Sequence, residues 1–182
     1  EAVIRGMYHY DSRGTGNSES ILRLLGSGTI LLEVIAAAEL LANDWGVASE
    51  IWSVTSFTEL ARDAREVERW NRLHPEETPR SSHVASSLGG DGPVVAATDY
   101  VRALPQLISS YIEPHYTVLG TDGFGRSDTR GSLRAFFEVD RYHIAIAALT
   151  SLARQGVVDT ILCTRAIERY KVDVDAAASW QC

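Results

Sequence analysis

The sequence predicts an α/β fold with three layers, α/β/α, built on a five-stranded mixed sheet that is mostly parallel and has one antiparallel edge strand. Five short segments are rich in β-branched and aromatic residues, and helical patterns separate the last four of them. Those four strands can therefore run parallel, with helices crossing over both faces of the sheet. Only residues 11–19 join the first two segments. That stretch is polar and too short for a crossover helix, so we expect this pair to be antiparallel.

Composition narrows the class of protein. The chain has 182 residues, of which 45% are hydrophobic and 23% charged, as in an ordinary globular domain. We predict one domain over residues 1–182, with an entry strand and turn (1–19), a doubly wound core (20–128) and C-terminal helices (129–182). The net charge of −7 argues against nucleic acid and anionic lipid as partners.

The cysteine content and the apolar segments of the chain predict its cellular location. Its two cysteines form no disulfide framework, and its apolar runs are too short or too interrupted to cross a membrane. No leader-like segment opens the chain, so we predict a cytoplasmic protein. The first residue is Glu1 and not an initiator methionine, and we therefore expect a fragment of a longer polypeptide.

The strands are bounded by polar or glycine-containing turns. We predict them at residues 4–10, 20–25, 49–54, 93–98 and 116–120.

The first two helices have clear signals at their ends. Residues 29–45 place apolar side chains at helical spacing and end before Gly46, a natural residue to follow a helix. Ser56 and Glu59 match a capping box, so the second helix begins near Phe57 and ends before His74-Pro75. Its charges are spaced for two pairs four residues apart, Arg62 with Glu66 and Glu68 with Arg72.

The remaining helices are less regular. We predict a brief helix at 82–88, a helix after the fourth strand that runs to about 112 with Pro105 in its first turn or at a kink, and C-terminal helices at 129–137, 141–155 and 159–170. Asp159 is the expected N-cap of the last helix.

The sequence motifs give little support for a metal site or for a catalytic nucleophile. The histidines form no H-x-H or H-x-x-x-H pair and the cysteines no C-x-x-C, which disfavours a metal site. His143 is expected to contact a helix cap, and Cys163 to pack in the core. The G-x-S-x-G motif of a serine nucleophile is absent. We therefore predict no catalytic, cofactor-binding or metal-binding residue in this chain.

Two glycine motifs resemble cofactor motifs without completing them. Gly26-Ser27-Gly28 follows a strand and opens a helix, but Leu31 stands where a dinucleotide-binding loop has its third glycine, so we predict a tight strand-to-helix turn. Gly90-Asp91-Gly92 matches the opening triplet of the motif with which thiamine-diphosphate enzymes hold magnesium. Paired asparagines are absent at the expected distance, and we interpret the triplet as a loop.

The strongest local signal is the turn from Gly120 to Asp128. Its candidate residues for binding an anion or forming an interface are Asp122, Gly123, Gly125, Arg126 and Ser127. Exposed amides before a helix, together with one guanidinium, could hold a carboxylate or phosphate. The alternative is a structural turn in which Arg126 pairs with Asp122 or Asp128.

Six segments together resemble one family: residues 3–8, 24–28, 53–63, 68–75, 98–100 and 119–128. They are similar to the C-terminal, transketolase-C-like domain of the homodimeric, bacterial-type E1 component of pyruvate dehydrogenase. The wider transketolase superfamily shares only the weaker pattern Phe124-Gly125-x-Ser127 followed by a helix with Leu133. The longer segments therefore single out pyruvate dehydrogenase, and the resemblance covers nearly the whole chain.

The resemblance implies a parent enzyme that uses thiamine diphosphate and Mg²⁺ to decarboxylate pyruvate and then reductively acetylates the lipoyl group of an E2 acyltransferase. It implies a segment that builds the dimer and frames the catalytic site, contacts the remaining E1 domains and the dimer mate, and holds no cofactor of its own. Two alternatives stay open. One is a free-standing doubly wound module that binds a small anion, and the other is an interaction module that docks E2 through the helix carrying Arg62, Arg65 and Arg69.

Overall fold

Strand order determines which loops meet. The computed structural model describes residues 1–15 and 21–181; Cys182 and residues 16–20, which include part of the predicted first turn and the first residue of the predicted second strand, lie outside. Within the described residues, five strands form one sheet in the order β1-β3-β2-β4-β5. They are β1 (Met7–Arg13), β2 (Leu22–Ser27), β3 (Ser49–Val54), β4 (Val94–Ala97) and β5 (Tyr116–Leu119).

The predicted mixed sheet is confirmed, with one correction to the pairing. β2 is parallel to both β3 and β4, and β4 is parallel to β5. β1 is the antiparallel edge strand, but it pairs with β3 and not with β2. Five of the six residues of β2 are buried, whereas most of β1 is exposed or half-buried. The apolar strand therefore takes the centre of the sheet and the polar one takes an edge.

The start of β1 also differs from the prediction. The strand begins at Met7, three residues later than expected, because Gly6 turns the chain with a φ of +101°. The carbonyl of Gly6 accepts hydrogen bonds from the amides of Thr55 and Ser56, at 2.9 and 3.0 Å. Ile4, predicted to lie in the strand, is 82% exposed beside this turn. At its other end β1 extends through Arg13, into the stretch predicted as a turn.

Helices cover both faces of the sheet. They are α1 (Leu31–Trp45), α2 (Phe57–Leu73), α3 (His83–Leu88), α4 (Ala103–Gln106), α5 (Arg130–Phe136), α6 (Arg141–Arg154) and α7 (Ile161–Tyr170). A short 3₁₀ turn at Gly28–Ile30 precedes α1. No helix among the described residues is both long and apolar enough to span a bilayer.

The capping box of α2 is only half formed. The Ser56 hydroxyl accepts from the Glu59 amide at 3.1 Å, as predicted. The Ser56 amide instead donates to Gly6, so the Glu59 carboxylate turns outward and pairs with Arg62 at 2.6 Å. Arg62 therefore does not form the predicted pair with Glu66. Glu68 accepts from the Tyr111 hydroxyl at 3.0 Å, in place of the predicted pair with Arg72.

Two helix predictions need correction. The helix expected to reach about residue 112 is broken into α4 and a 3₁₀ turn at Ser109–Tyr111. Pro105 is the third residue of α4, within its first turn, where a missing amide costs no helical hydrogen bond. α7 begins at Ile161, two residues later than predicted. Thr160 occupies its N-cap position, and not Asp159 as predicted, although the Asp159 carboxylate accepts from the Ile161 amide at 2.9 Å.

The core consists of two apolar clusters, one on each face of the sheet. Consecutive residues of β2 supply different clusters: Leu24 packs with α1 and α6, and Leu25 packs with α2 and α3. Val95 and Val94 of β4 divide in the same way. Because both faces of the central strands are buried, the molecule has three layers.

Candidate functional site at the carboxyl edge of the sheet

The carboxyl ends of the four parallel strands meet at one edge of the sheet. The chain leaves β2 toward β3 on one side and later reaches β4 on the other, so the switch point of the topology lies between β2 and β4. Ligands of open α/β sheets bind in the crevice outside such a point. Here the Ser27 hydroxyl donates to the Thr98 hydroxyl oxygen at 2.6 Å, and the Tyr100 amide donates to that same oxygen at 3.2 Å. These bonds hold the two loops together.

A shallow cleft of about 210 Å³ opens beside this pair of loops. Asp99 lines it and accepts from the Thr29 hydroxyl at 3.4 Å. Gly28 has a φ of +55°, and a Cβ there would lie 3.4 Å from the Asp99 carboxylate, which explains the glycine at this turn. Arg130 lines the same cleft. Arg134 lines it as well, so the arrangement places one acid and two arginines in a half-open crevice and is suited to binding a polar group.

The turn from Gly120 to Asp128 is tied to the loop after β4. The Thr121 amide donates to the Tyr100 carbonyl at 2.9 Å, and the Asp122 carboxylate accepts from the Arg102 amide at 3.0 Å. Asp122, predicted as a candidate ligand of an anion, therefore positions the backbone here. Its carboxylate is engaged because Arg102 begins the next helical turn and presents its amide.

Gly123 permits a close approach of the C-terminal segment. Its φ is +100°, and a Cβ would lie 2.7 Å from the Ser179 carbonyl. The Ser179 hydroxyl donates to the Asp122 carbonyl at 3.1 Å. Residues near the C-terminus, which sequence analysis left unplaced, thus pack against the turn.

Arg126 does not pair with Asp122 or Asp128 among the described residues. Its guanidinium lies over the ring of Phe136, 4.4 Å from the centroid. Asp128 accepts from the Thr129 amide instead, at 2.6 Å. The predicted salt bridge is therefore replaced by a cation–π contact, since both acids have backbone partners closer at hand.

Of the five candidate residues, Asp122 is half-buried and the other four are exposed. The contacts above involve Asp122, Gly123 and Arg126, whereas a Cβ at Gly125 would meet nothing within 4 Å. α5 has seven residues and begins after the Thr129 cap.

An exposed apolar surface runs along this edge, and sequence analysis did not identify it. Phe124 at the tip of the turn is 84% exposed, and Tyr100, Val101 and Trp180 are more than half exposed. Val3 and Ile4 extend the surface toward β1, where the Val3 carbonyl accepts from the Thr55 hydroxyl at 2.7 Å. We call these six residues the carboxyl-edge surface. Ordered apolar groups left in water at one edge are typical of a contact surface.

The remaining titratable candidates have structural roles. His143 contacts the cap of α6 as predicted, with Nδ1 2.8 Å from Asp140. Burial raises the pKa of Asp140, but hydrogen bonds from His143 outweigh burial, and the pKa lies below its ordinary value. The described residues contain no group of three or more His, Cys, Asp or Glu side chains that could hold a metal ion.

The fold and this edge define the class of protein. Residues 6–140 match the model of the transketolase-like TK C-terminal domain, and the chain belongs to that family. A transketolase from Leishmania mexicana has the same fold over 84% of this chain and 19% of its own, with a TM-score of 0.54 and 19% identity.

More similar sequences narrow the relationship. The chain is 55% identical over 173 residues to the pyruvate dehydrogenase E1 component of Cupriavidus necator and 47% identical over 176 residues to that of Escherichia coli K12. These alignments cover 94% and 96% of this chain but only 19% and 20% of the two relatives. The chain is homologous to the C-terminal part of pyruvate dehydrogenase E1 and spans about a fifth of the relatives' length.

Proposed function

We propose that this chain is the C-terminal domain of a cytoplasmic, homodimeric pyruvate dehydrogenase E1 component. Its parent enzyme would use thiamine diphosphate and Mg²⁺ to decarboxylate pyruvate oxidatively and would acetylate the lipoyl group of an E2 acyltransferase. The role of these residues is to build the dimer and frame the catalytic site. The identity to E1 components over nearly the whole chain supports the parentage, and the carboxyl-edge surface carries the role.

The carboxyl-edge surface suits a framing role because its loops are held in place before any partner arrives. Contacts among Thr98, Tyr100, Arg102, Thr121 and Asp122 link the ends of β4 and β5. An apolar contact on such preorganised loops loses little conformational entropy on association. Phe124 and Ile4 then contribute buried area, since both are almost fully exposed in the free chain.

The residues that the structure describes do not fit a thiamine diphosphate site. Asp91, the acid of the Gly90-Asp91-Gly92 triplet, precedes β4 at the amino edge of the sheet, opposite the carboxyl-edge surface. The Asp91 carbonyl accepts from Gln155 at 3.1 Å, and Gly92 packs directly against the backbone of Ile21. We therefore assign cofactor binding to other parts of the parent enzyme.

The interface role predicts self-association through the carboxyl-edge surface. In sedimentation velocity over a wide range of concentration, the chain should form dimers or larger species, and Phe124→Ser should shift it to monomer because the largest exposed apolar group is lost. Leu73→Ser is the matched control, since Leu73 is also exposed but lies at the far end of α2. A wild-type chain that remains monomeric throughout would contradict the proposed interface.

Because we assign cofactor binding to other parts of the parent enzyme, we predict that the isolated chain binds no thiamine diphosphate. Calorimetric titration with the cofactor and Mg²⁺ should give only heats of dilution, because the described residues offer no metal cluster and Asp91 stands alone before β4, at the amino edge of the sheet. An intact E1 component in the same buffer is the positive control. Saturable binding in the micromolar range would show that the chain carries a cofactor site of its own.

Docking of E2 remains a prediction. The outer face of α2 presents Arg65 and Arg69 to solvent, and Arg62 is exposed although paired with Glu59.

A further inference from the structure

A second polar cavity lies at the open edge of β5, away from the Gly120 to Asp128 turn. It has a volume of about 430 Å³, and we call it the edge cavity. Its polar side chains come from the segment of α4 and the following turn, from β5 and the residue before it, and from the end of α6: Arg102, Gln106, Ser109, His115, Thr117 and Arg154. None of the residues that line it is acidic, in a chain whose net charge is −7, and Asp122 lies behind Arg102.

The two arginines approach the edge cavity from opposite faces of the sheet. Arg102 precedes α4, whose neighbours Leu107 and Ile108 belong to the apolar cluster of α2 and α3. Arg154 ends α6, which packs on the other face with α1. Arg102 lies beside Gly120, at the carboxyl end of β5, and Arg154 lies beside His115, at its amino end, so a ligand along the strand meets positive charge at both ends.

The hydrogen-bonding capacity of these arginines is not used up. The Arg102 Nε is buried and has no hydrogen-bond partner among the described residues. Asp122 Oδ2 lies 4.0 Å from the Arg102 Nε, which is the limit for an ion pair. Asp122 Oδ1 already accepts from the Arg102 amide. Arg154 donates to His115 Nε2 at 3.3 Å and forms no ion pair within the described part of the chain. The Arg102 side chain is 37% exposed although its Nε is buried, so the outer part of the guanidinium group can meet a ligand.

The open edge of β5 adds backbone donors. The carbonyls of His115 and Leu119 accept from the amides of Val94 and Thr98, so the backbone N–H and C=O groups of the odd-numbered residues of this segment point toward β4. Tyr116 and Val118 therefore point their amides to the open side, along the edge cavity. Burial raises the pKa of Tyr116, and its protonated hydroxyl donates to the Pro105 carbonyl at 3.0 Å. This bond holds the α4 segment beside the strand.

We propose that the edge cavity binds a small multivalent oxyanion, a phosphorylated or polycarboxylate molecule, with Arg102 and Arg154 as its charged ligands and the amides of Tyr116 and Val118 as further donors. Guanidinium groups and backbone amides together match the planar and tetrahedral oxygens of carboxylate and phosphate. Two anionic groups on one ligand would engage both arginines at once.

Nitrogen–proton correlation NMR tests this proposal on the chain itself, with pyrophosphate and citrate as probes and sodium chloride at equal ionic strength as the reference. The expected result is saturable shifts of the Arg102 Nε–H and of the Tyr116 and Val118 amides with at least one of the two probes. Which probe binds more tightly distinguishes phosphate from carboxylate recognition. Arg154→Gln should weaken binding about tenfold or more, the effect of losing one charged hydrogen bond.

Arg165→Gln is the matched control, because Arg165 is exposed on α7 and the substitution removes the same charge. Its affinity should equal that of the wild type. Shifts that grow linearly with ionic strength, equal weakening by both substitutions, or saturable shifts confined to Gly123–Ser127 would each overturn the proposal. The last result would instead assign the anion to the turn around Arg126.

Discussion

A single buried carboxylate joins three helices, α1, α5 and α6, on one face of the sheet. Glu33 of α1 is 4% exposed, and it accepts from Arg134 of α5 at 2.8 Å and from the Arg141 side chain and amide of α6 at 2.9 and 3.0 Å. Burial raises the pKa of Glu33, but the hydrogen bonds from Arg141 and the two positive charges outweigh it, so the pKa lies below its ordinary value. Sequence analysis did not identify this network, although an acid within the apolar face of a helix is a signal for it.

Glu33→Gln should lower the free energy of unfolding at pH 7 by about 3 kcal/mol, because two guanidinium groups lose their charged partner. The lowered folded-state pKa means that this stabilisation is complete above about 4.3, the ordinary pKa of Glu in unfolded chains, and is lost as pH falls through the folded-state value. Urea denaturation of both proteins from pH 7 down to pH 3 measures the difference, which should shrink with acid.

Glu39→Gln on the same helix is the comparison. Glu39 is exposed and lies 3.9 Å from Arg13, so its loss should change stability by less than about 1 kcal/mol at any pH. Equal destabilisation by the two substitutions would show that the network around Glu33 contributes nothing special.

At the scale of elements, the contact between β2 and α1 depends on a missing side chain. A Cβ on Gly26 would lie 2.8 Å from Leu31 Cα and 3.1 Å from a methyl group of Val34. The backbone of the helix therefore approaches the strand more closely than any larger residue allows. The predicted tight turn is present, and Gly26 supplies the close packing while Gly28 supplies the positive φ.

Gly26→Ala should destabilise the fold by about 3 kcal/mol, since the clash is with backbone atoms that cannot move without shifting α1. Gly131→Ala is the control. Gly131 lies in α5, where a Cβ meets nothing within 4 Å, so alanine there should be neutral or stabilising by up to about 1 kcal/mol. Midpoints of chemical denaturation compare the two. A neutral Gly26→Ala would mean that α1 does not pack as closely as described.

At the scale of the whole molecule, one sheet separates two apolar clusters. Leu41 belongs to the cluster of α1 and α6, and Leu60 to the cluster of α2 and α3. Both side chains are fully buried. Because the same central strands supply residues to each cluster, neither face can lose its packing without exposing the back of the other. We therefore expect residues 1–182 to unfold as one unit, in keeping with the single domain we propose.

Leu41→Ala and Leu60→Ala should each cost about 2–5 kcal/mol and move the same cooperative transition. Circular dichroism and tryptophan fluorescence followed during denaturation should coincide in both variants. Leu32→Ala, an exposed leucine of α1, is the control and should leave the midpoint nearly unchanged. Separate transitions for the two probes would indicate two independent units and contradict the single domain.

Local sequence patterns predicted the helices well where a capping side chain or a proline marks the end of the helix. α2 begins and ends as predicted because Ser56 caps it and His74-Pro75 stops it, and Asp140 caps α6. The error at β1 and the broken helix after β4 arose where tertiary contacts outweigh propensity. Gly6 is held by the loop after β3, and Tyr116 holds Pro105 against β5.

The candidate site could be predicted only in part. The turn around Arg126 was predicted from its glycines and polar residues, but its contacts were not. Asp122 binds the Arg102 amide and Arg126 lies over Phe136, and both partners lie outside the turn. The edge cavity left no signal in any one segment, since Arg102, His115 and Arg154 lie on three separate elements.

The sequence by itself determined the layered α/β architecture, the mixed sheet and the resemblance to pyruvate dehydrogenase E1, because periodicity, caps and extended motifs are local properties of the chain. Only the tertiary structure decided that β1 pairs with β3, which exposed groups join in the carboxyl-edge surface and which arginines meet beside β5. Those outcomes depend on strand order, and strand order is set by how the buried faces of distant segments pack together.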